Sequence, residues 1–71
     1  MSRYLVVVEK TQTGFSAFCP DLPGCVATGR TKEEVEQTMQ EAIAFHLDGL
    51  KEDGVVVPLP DSYSTYCEVA V

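Results

Sequence analysis

Apolar residues along this chain first repeat at short, strand-like spacing, then at helical spacing, then at strand-like spacing again. Tyr4-Leu5-Val6-Val7-Val8-Glu9 is a β-branched run with no helix formers beside it. It predicts a strand, apolar on both faces and so central in its sheet. Thr11-Gln12-Thr13-Gly14 is a polar turn, and Phe15-Ser16-Ala17-Phe18-Cys19 is the returning strand, which makes residues 4–19 a hairpin. Phe15, Ala17 and Cys19 share one face of that strand, while Ser16 and Phe18 share the other.

The segment Cys19-Pro20-Asp21-Leu22-Pro23-Gly24-Cys25 is a corner between apolar runs. Pro20 removes an amide donor and ends the strand before it. Pro23-Gly24 suits the two central positions of a type II turn, since proline presets φ and glycine accepts a positive φ. Cys25-Val26-Ala27-Thr28-Gly29 then reads as a third antiparallel strand.

Thr31-Lys32-Glu33-Glu34 has the form of a capping box, with the Thr31 hydroxyl on the Glu34 amide and the Glu34 carboxylate reaching back. Glu33, Glu34 and Glu36 also favour the positive end of a helix dipole. Val35, Met39, Ala42, Ile43, His46, Leu47 and Leu50 recur at steps of three and four, forming one stripe. Glu36, Gln40, Glu41, Asp48 and Lys51 lie off it. The predicted helix spans residues 31–53, and Asp53-Gly54 supplies its C-terminal cap.

Val55-Val56-Val57-Pro58-Leu59-Pro60 is apolar but broken by proline, which predicts an extended crossing segment. Tyr63 to Val71 alternates and predicts a fourth strand, with Thr65, Cys67, Val69 and Val71 on one face and Tyr66, Glu68 and Ala70 on the other. At a sheet edge this strand can pair with a second copy. The expected fold class is therefore α+β in a single domain, residues 1–71. A three-stranded antiparallel meander has one long helix across it and a C-terminal fourth strand, in the order β-β-β-α-β.

Length and charge narrow the function. A chain of 71 residues buries only roughly 60% of its unfolded surface, so a staple or self-association is expected. The formal net charge of −6 argues against direct nucleic-acid binding and fits a basic protein partner. No apolar run approaches the roughly 20 residues of a membrane span, and the N-terminus does not read as a signal peptide, so the expected location is cytoplasmic.

Candidate chemistry is sparse. Cys19, Cys25 and Cys67 are an odd set, which does not suggest a disulfide framework. With His46 they could make a Cys3His set, but the five residues between Cys19 and Cys25 exceed the usual ligand spacing, and buried reduced thiols are the plainer reading. His46 lies on the apolar stripe, as a packed core histidine does. A nucleophilic pair of Cys19 or Cys25 with His46 would need a base and an orienting group that nothing in the spacing supplies. The acidic pairs Glu33/Glu34 and Glu52/Asp53 sit at helix ends, where capping and solvation account for them. No catalytic, cofactor-binding or metal-binding residues are expected.

The series Arg3-Tyr4-Leu5, Gly14-Phe15-Ser16-Ala17, Pro20-Asp21-Leu22-Pro23-Gly24-Cys25 and Gly29-Arg30-Thr31-Lys32-Glu33-Glu34, followed by Asp53-Gly54, Pro58 and Pro60, resembles the HicB-like antitoxin family across essentially the whole chain. The motif residues Pro20, Asp21, Leu22, Pro23, Gly24, Cys25, Gly29, Thr31 and Glu34 are expected to serve structure. The resemblance implies a degenerate RNase H-like fold without a working active site. It also implies a non-catalytic module that binds and neutralises a small basic HicA-like, RNA-cleaving toxin and that associates as a dimer or tetramer. Full antitoxins of this type continue into a DNA-binding domain. The sequence stops at Val71, so promoter binding by this chain is not expected. The alternatives are a residual metal-dependent nuclease, for which Glu9 and Asp21 are the acids at hand, and an orphan oligomer or small-ligand binder without a toxin.

Overall fold

The computed structural model describes residues 2–71. Three short strands, β1 (Val7–Lys10), β2 (Phe15–Phe18) and β3 (Val26–Gly29), precede one helix, α1 (Lys32–Glu52). The strands form an antiparallel sheet in the order β1-β2-β3. Register sets Val8, Ala17 and Ala27 in one row and Val7, Phe18 and Val26 in the next. The first row faces the helix and the second faces away, because side chains alternate across a pleated sheet. Ala17 and Cys19 are accordingly buried while Phe18 is exposed, as the strand pattern predicts.

The core consists of Ala17, Cys19, Leu22, Cys25, Val35 and Met39, with Phe15, Ala27, Ala42, Ile43 and Leu47 packed around it. The helix contributes the stripe its spacing predicts, and Glu41, Asp48 and Lys51 remain exposed. At its start the Thr31 hydroxyl accepts the Glu34 amide at 3.0 Å. The returning arm of the cap differs by one residue: the Glu34 carboxylate accepts from the Arg30 amide at 3.2 Å, not from Thr31. At its end Gly54, with φ +70°, and Val55 donate to the carbonyls of Lys51 and Leu50. That is a Schellman termination, which requires the left-handed residue that glycine supplies.

The proline corner is two back-to-back turns. The Leu22 amide donates to the Cys19 carbonyl, and the Cys25 amide donates to the Leu22 carbonyl, each at 3.1 Å. The Cys19 amide closes the base on the Cys25 carbonyl, also at 3.1 Å. Gly24 has φ +82°, as a type II turn demands. Leu22, at the joint of the turns, is fully buried.

Two expectations are corrected. The first strand is an edge of the ladder, and β2 is central. Its apolar residues on both faces reflect packing rather than position: Tyr4 and Val6 lie before β1 and lean on the core without a second neighbour strand. The fourth strand is not part of the sheet. Residues 55–71 carry neither helix nor ladder pairing, and Tyr63 to Val71 are exposed throughout. The alternating pattern there is present, but no strand of the protomer supplies the hydrogen bonds that would complete it. The architecture within one protomer is β-β-β-α with an extended C-terminal arm.

Gly29 fixes the seat of the helix. A Cβ added there would lie 2.7 Å from the amide nitrogen of Val35, a backbone atom that cannot turn aside. Gly29→Ala is therefore expected to lower unfolding stability by about 1–3 kcal/mol in urea titration. Gly49→Ala, where the new methyl meets nothing within 4 Å, should raise it by up to about 1 kcal/mol. Equal effects at the two sites would contradict the close-approach argument.

Candidate interaction surface

The helix packs over β3 and β2. The inner face of β1 is left partly uncovered, and a groove of 440 Å³ lies between it and α1. Tyr4, Val6 and Val8 form its sheet wall, and Met39, Ile43, Gln40 and Glu36 form its helix wall. The sheet wall is the alternate set from the apolar N-terminal run, so the same pleat that fills the core next to β2 remains open next to β1. Beyond the groove, the outer edge of β1 has no neighbour strand among the described residues.

The extended arm is fastened at two points near the start of this edge, the Asp21 carboxylate and the Tyr4 hydroxyl. The Asp61 and Ser62 amides donate to Oδ2 of Asp21 at 3.1 and 3.0 Å, and the Ser62 hydroxyl donates to Oδ1 at 2.9 Å. The Tyr4 hydroxyl donates to the Pro58 carbonyl. Ser62, Tyr63 and Ser64 then pass alongside Arg3, Tyr4, Leu5 and Val6. Past that point Tyr66 is 98% exposed and Val69 73% exposed. Thr65, Cys67, Val69 and Val71 thus present an apolar face with nothing against it in the protomer.

Pro20, Pro23 and Gly24 shape the two turns, Leu22 and Cys25 fill the core, Gly29 admits the helix, and Thr31 and Glu34 cap it. Asp21 has the added role of holding the arm. The chemistry-bearing residues do not converge. Cys19 and Cys25 are buried reduced thiols, whereas Cys67 lies out on the arm. Burial pushes the Cys25 thiol up, and the adjacent Cys19 adds to the effect, both favouring the protonated form. Among the described residues no group of three His, Cys, Asp or Glu side chains is gathered to hold a metal ion. Glu9 is exposed on β1 and Asp21 is engaged by Asp61 and Ser62.

Sequence reasoning missed both the groove and the Asp21 clamp. The groove follows from where the helix sits, which no local pattern reports. The clamp joins residues 40 and 41 positions apart; its one local trace is a carboxylate set between two prolines where no cap or ion partner claims it.

Hydrogen bonds from Ser62 above all, joined by the Asp61 amide, favour the charged Asp21 carboxylate and hold its pKa below the usual value of about 3.9. A depressed carboxylate contributes fully above its ordinary pKa, and the contribution is lost as pH falls through the lower, folded value. The Asp61 and Ser62 amides should therefore be protected from hydrogen exchange above about pH 4 and lose protection progressively as pH falls through the lower, folded pKa of Asp21. Asp21→Ala should remove that protection at every pH while the amides of β2 keep theirs. Unchanged exchange at residues 61 and 62 in the variant would show that the arm is held by something else.

Residues 4–69 match the family described as the HicB-like antitoxin of the bacterial toxin-antitoxin system. An uncharacterised 14.9 kDa protein of Haemophilus phage HP1 is 35% identical over 63 residues, covering 89% of this chain and 47% of that protein. Antitoxin HicB 2 of Photorhabdus laumondii is 33% identical over 60 residues, covering 84% of this chain and 43% of the antitoxin. The chain thus spans about half the length of these two relatives. A solved chain from a HicA3 and HicB3 toxin-antitoxin complex superposes with a TM-score of 0.66 at 32% identity, over 87% of this chain and 70% of that one. The match runs through every element from Tyr4 to Val69, and the chain belongs to the HicB-like antitoxin family.

Proposed function

We propose that this chain is the toxin-binding domain of an antitoxin, which neutralises a small, basic, RNA-cleaving toxin of the HicA-like kind by covering it. The observation that carries this reading is the family match over residues 4–69, joined to the likeness with a chain solved in a toxin-antitoxin complex. The formal net charge of −6 supports it, because an acidic domain draws a basic partner from solution. The role is non-catalytic, and the degenerate RNase H-like architecture implied by the sequence resemblance serves as a binding fold. Metal-assisted cleavage needs carboxylates gathered around the ions, whereas Glu9 stands exposed on β1 and Asp21 is engaged by Asp61 and Ser62. The proposed setting is the cytoplasm, where such a toxin meets RNA. No helix of the described residues is long and apolar enough to cross a membrane.

The test is co-expression of this chain with a candidate basic toxin of this kind. A complex should copurify, and RNA cleavage by the toxin should cease when the chain is equimolar. The chain alone, with Mn²⁺, should leave labelled RNA intact. Since opposite net charges steer the encounter, the association rate should fall at least tenfold between about 0.05 and 0.5 M salt, with a smaller change in the dissociation rate. Cleavage that persists at excess antitoxin, with no complex on size exclusion, would refute the proposal.

A further inference from the structure

We propose that Cys19 and Cys25 are a redox modification site, at which hydrogen peroxide converts the two facing thiols into a reversible disulfide that locks the proline corner. The sheet register places the pair. Phe18 stands opposite Val26, and Ala17 opposite Ala27. One step further toward the corner, the same register sets Cys19 opposite Cys25, and the Cys19 amide donates to the Cys25 carbonyl at 3.1 Å. Directly opposed residues point their side chains to one face. Here it is the core face, where both cysteines pack in one cluster with Leu22. Cys67 stands apart, exposed on the arm.

The spacing suits a link. Opposed residues joined by such a bond lie about 5.5 Å apart at Cα, a separation that disulfides commonly span. The bond that would fasten the other side of the pair is missing, because the Cys25 amide donates to the Leu22 carbonyl instead. A pair held on one side only can close from a Cβ separation of about 4.5–5.5 Å to the about 3.8 Å of a disulfide. The influence of Cys19 on the Cys25 thiol agrees with two neighbouring sulfurs. Cys19 is 3% and Cys25 4% exposed, which admits peroxide and shuts out bulky oxidants.

The chemistry balances with peroxide as the oxidant. One cysteine, as its thiolate, attacks a peroxide oxygen. The O–O bond breaks, the sulfur becomes a sulfenic acid and water leaves. The facing sulfur gives up its proton and attacks the sulfenic sulfur. The S–O bond breaks, the S–S bond forms and a second water leaves. The thiols lose two electrons in all, and peroxide is reduced to two waters. A small-molecule dithiol reverses the link by exchange.

The link closes the seven-residue corner from Cys19 to Cys25. That corner buries Leu22 and presents Asp21 to the arm. Cross-linking constrains the opened chain, so oxidation strengthens the joint to which the arm is fastened. A transient, redox-sensing disulfide is also the kind that a cytoplasmic setting favours. This inference does not rest on the toxin-binding reading.

Cys67→Ser removes the exposed thiol and leaves the facing pair. Treated with peroxide while folded, this variant should lose both free thiols. Its intact mass should fall by two hydrogens with no oxygen added, and dithiothreitol should restore both thiols. The oxidised form should stay a single covalent chain on a non-reducing gel, keep its helical circular dichroism and unfold at a higher urea concentration than the reduced form. Thiols that stay free under conditions that consume Cys67 of the unaltered chain would overturn the proposal. So would products carrying added oxygen in place of the link, a link joining two chains, or a link that forms only after urea has unfolded the protein.

Discussion

The close approach of α1 to Gly29 decides which strands the helix can cover. With no side chain at Gly29, the Val35 backbone reaches the end of β3, and Val35 itself is fully buried. The 21-residue helix starting there runs over β3 and β2. Met39 and Ile43 reach past them but meet no further strand, and the groove along β1 is the consequence. A bulkier residue at 29 would displace the helix, and with it both the core and the groove.

The double turn at Cys19–Cys25 is the second constraint, and it connects the fold to the arm. Its outer turns hold Leu22 in the core, while Asp21 between the prolines points its carboxylate at the chain returning from the helix. One motif therefore closes the β2–β3 connection and sets where the C-terminal arm departs. The proline pair makes the turn rigid because φ is preset at two of its positions. A carboxylate held on a rigid turn can fix a distant backbone segment that makes no core contact of its own.

Much of this was legible in the sequence. Hydrophobic spacing located the hairpin, the third strand and the helix, because each element's apolar period is set by its own geometry. The Thr31 cap and Gly54 termination were readable for the same reason: they involve neighbours in sequence. Position within the sheet was not readable. The run at Tyr4–Val8 has the composition of a central strand yet forms an edge among the described residues, since composition does not record strand order. Likewise Thr65, Cys67, Val69 and Val71 carry strand periodicity yet pair with no strand of the protomer. Asp21, read as a turn residue, proved to hold the arm through a contact that spans most of the fold. The family signature was visible because its glycines and prolines sit at positions where the backbone tolerates few alternatives.

A small, acidic domain of the HicB-like antitoxin family is thus built around a helix seated on Gly29 and an arm held by Asp21. The central claim is the proposed one, that this domain binds and covers a small basic toxin. The most direct test is isothermal titration calorimetry of the full chain against a HicA-like toxin that cleaves RNA in the same buffer. Saturable binding at a fixed ratio, weakened by added salt, is the predicted result. The absence of any binding heat at micromolar concentrations of both proteins would contradict it.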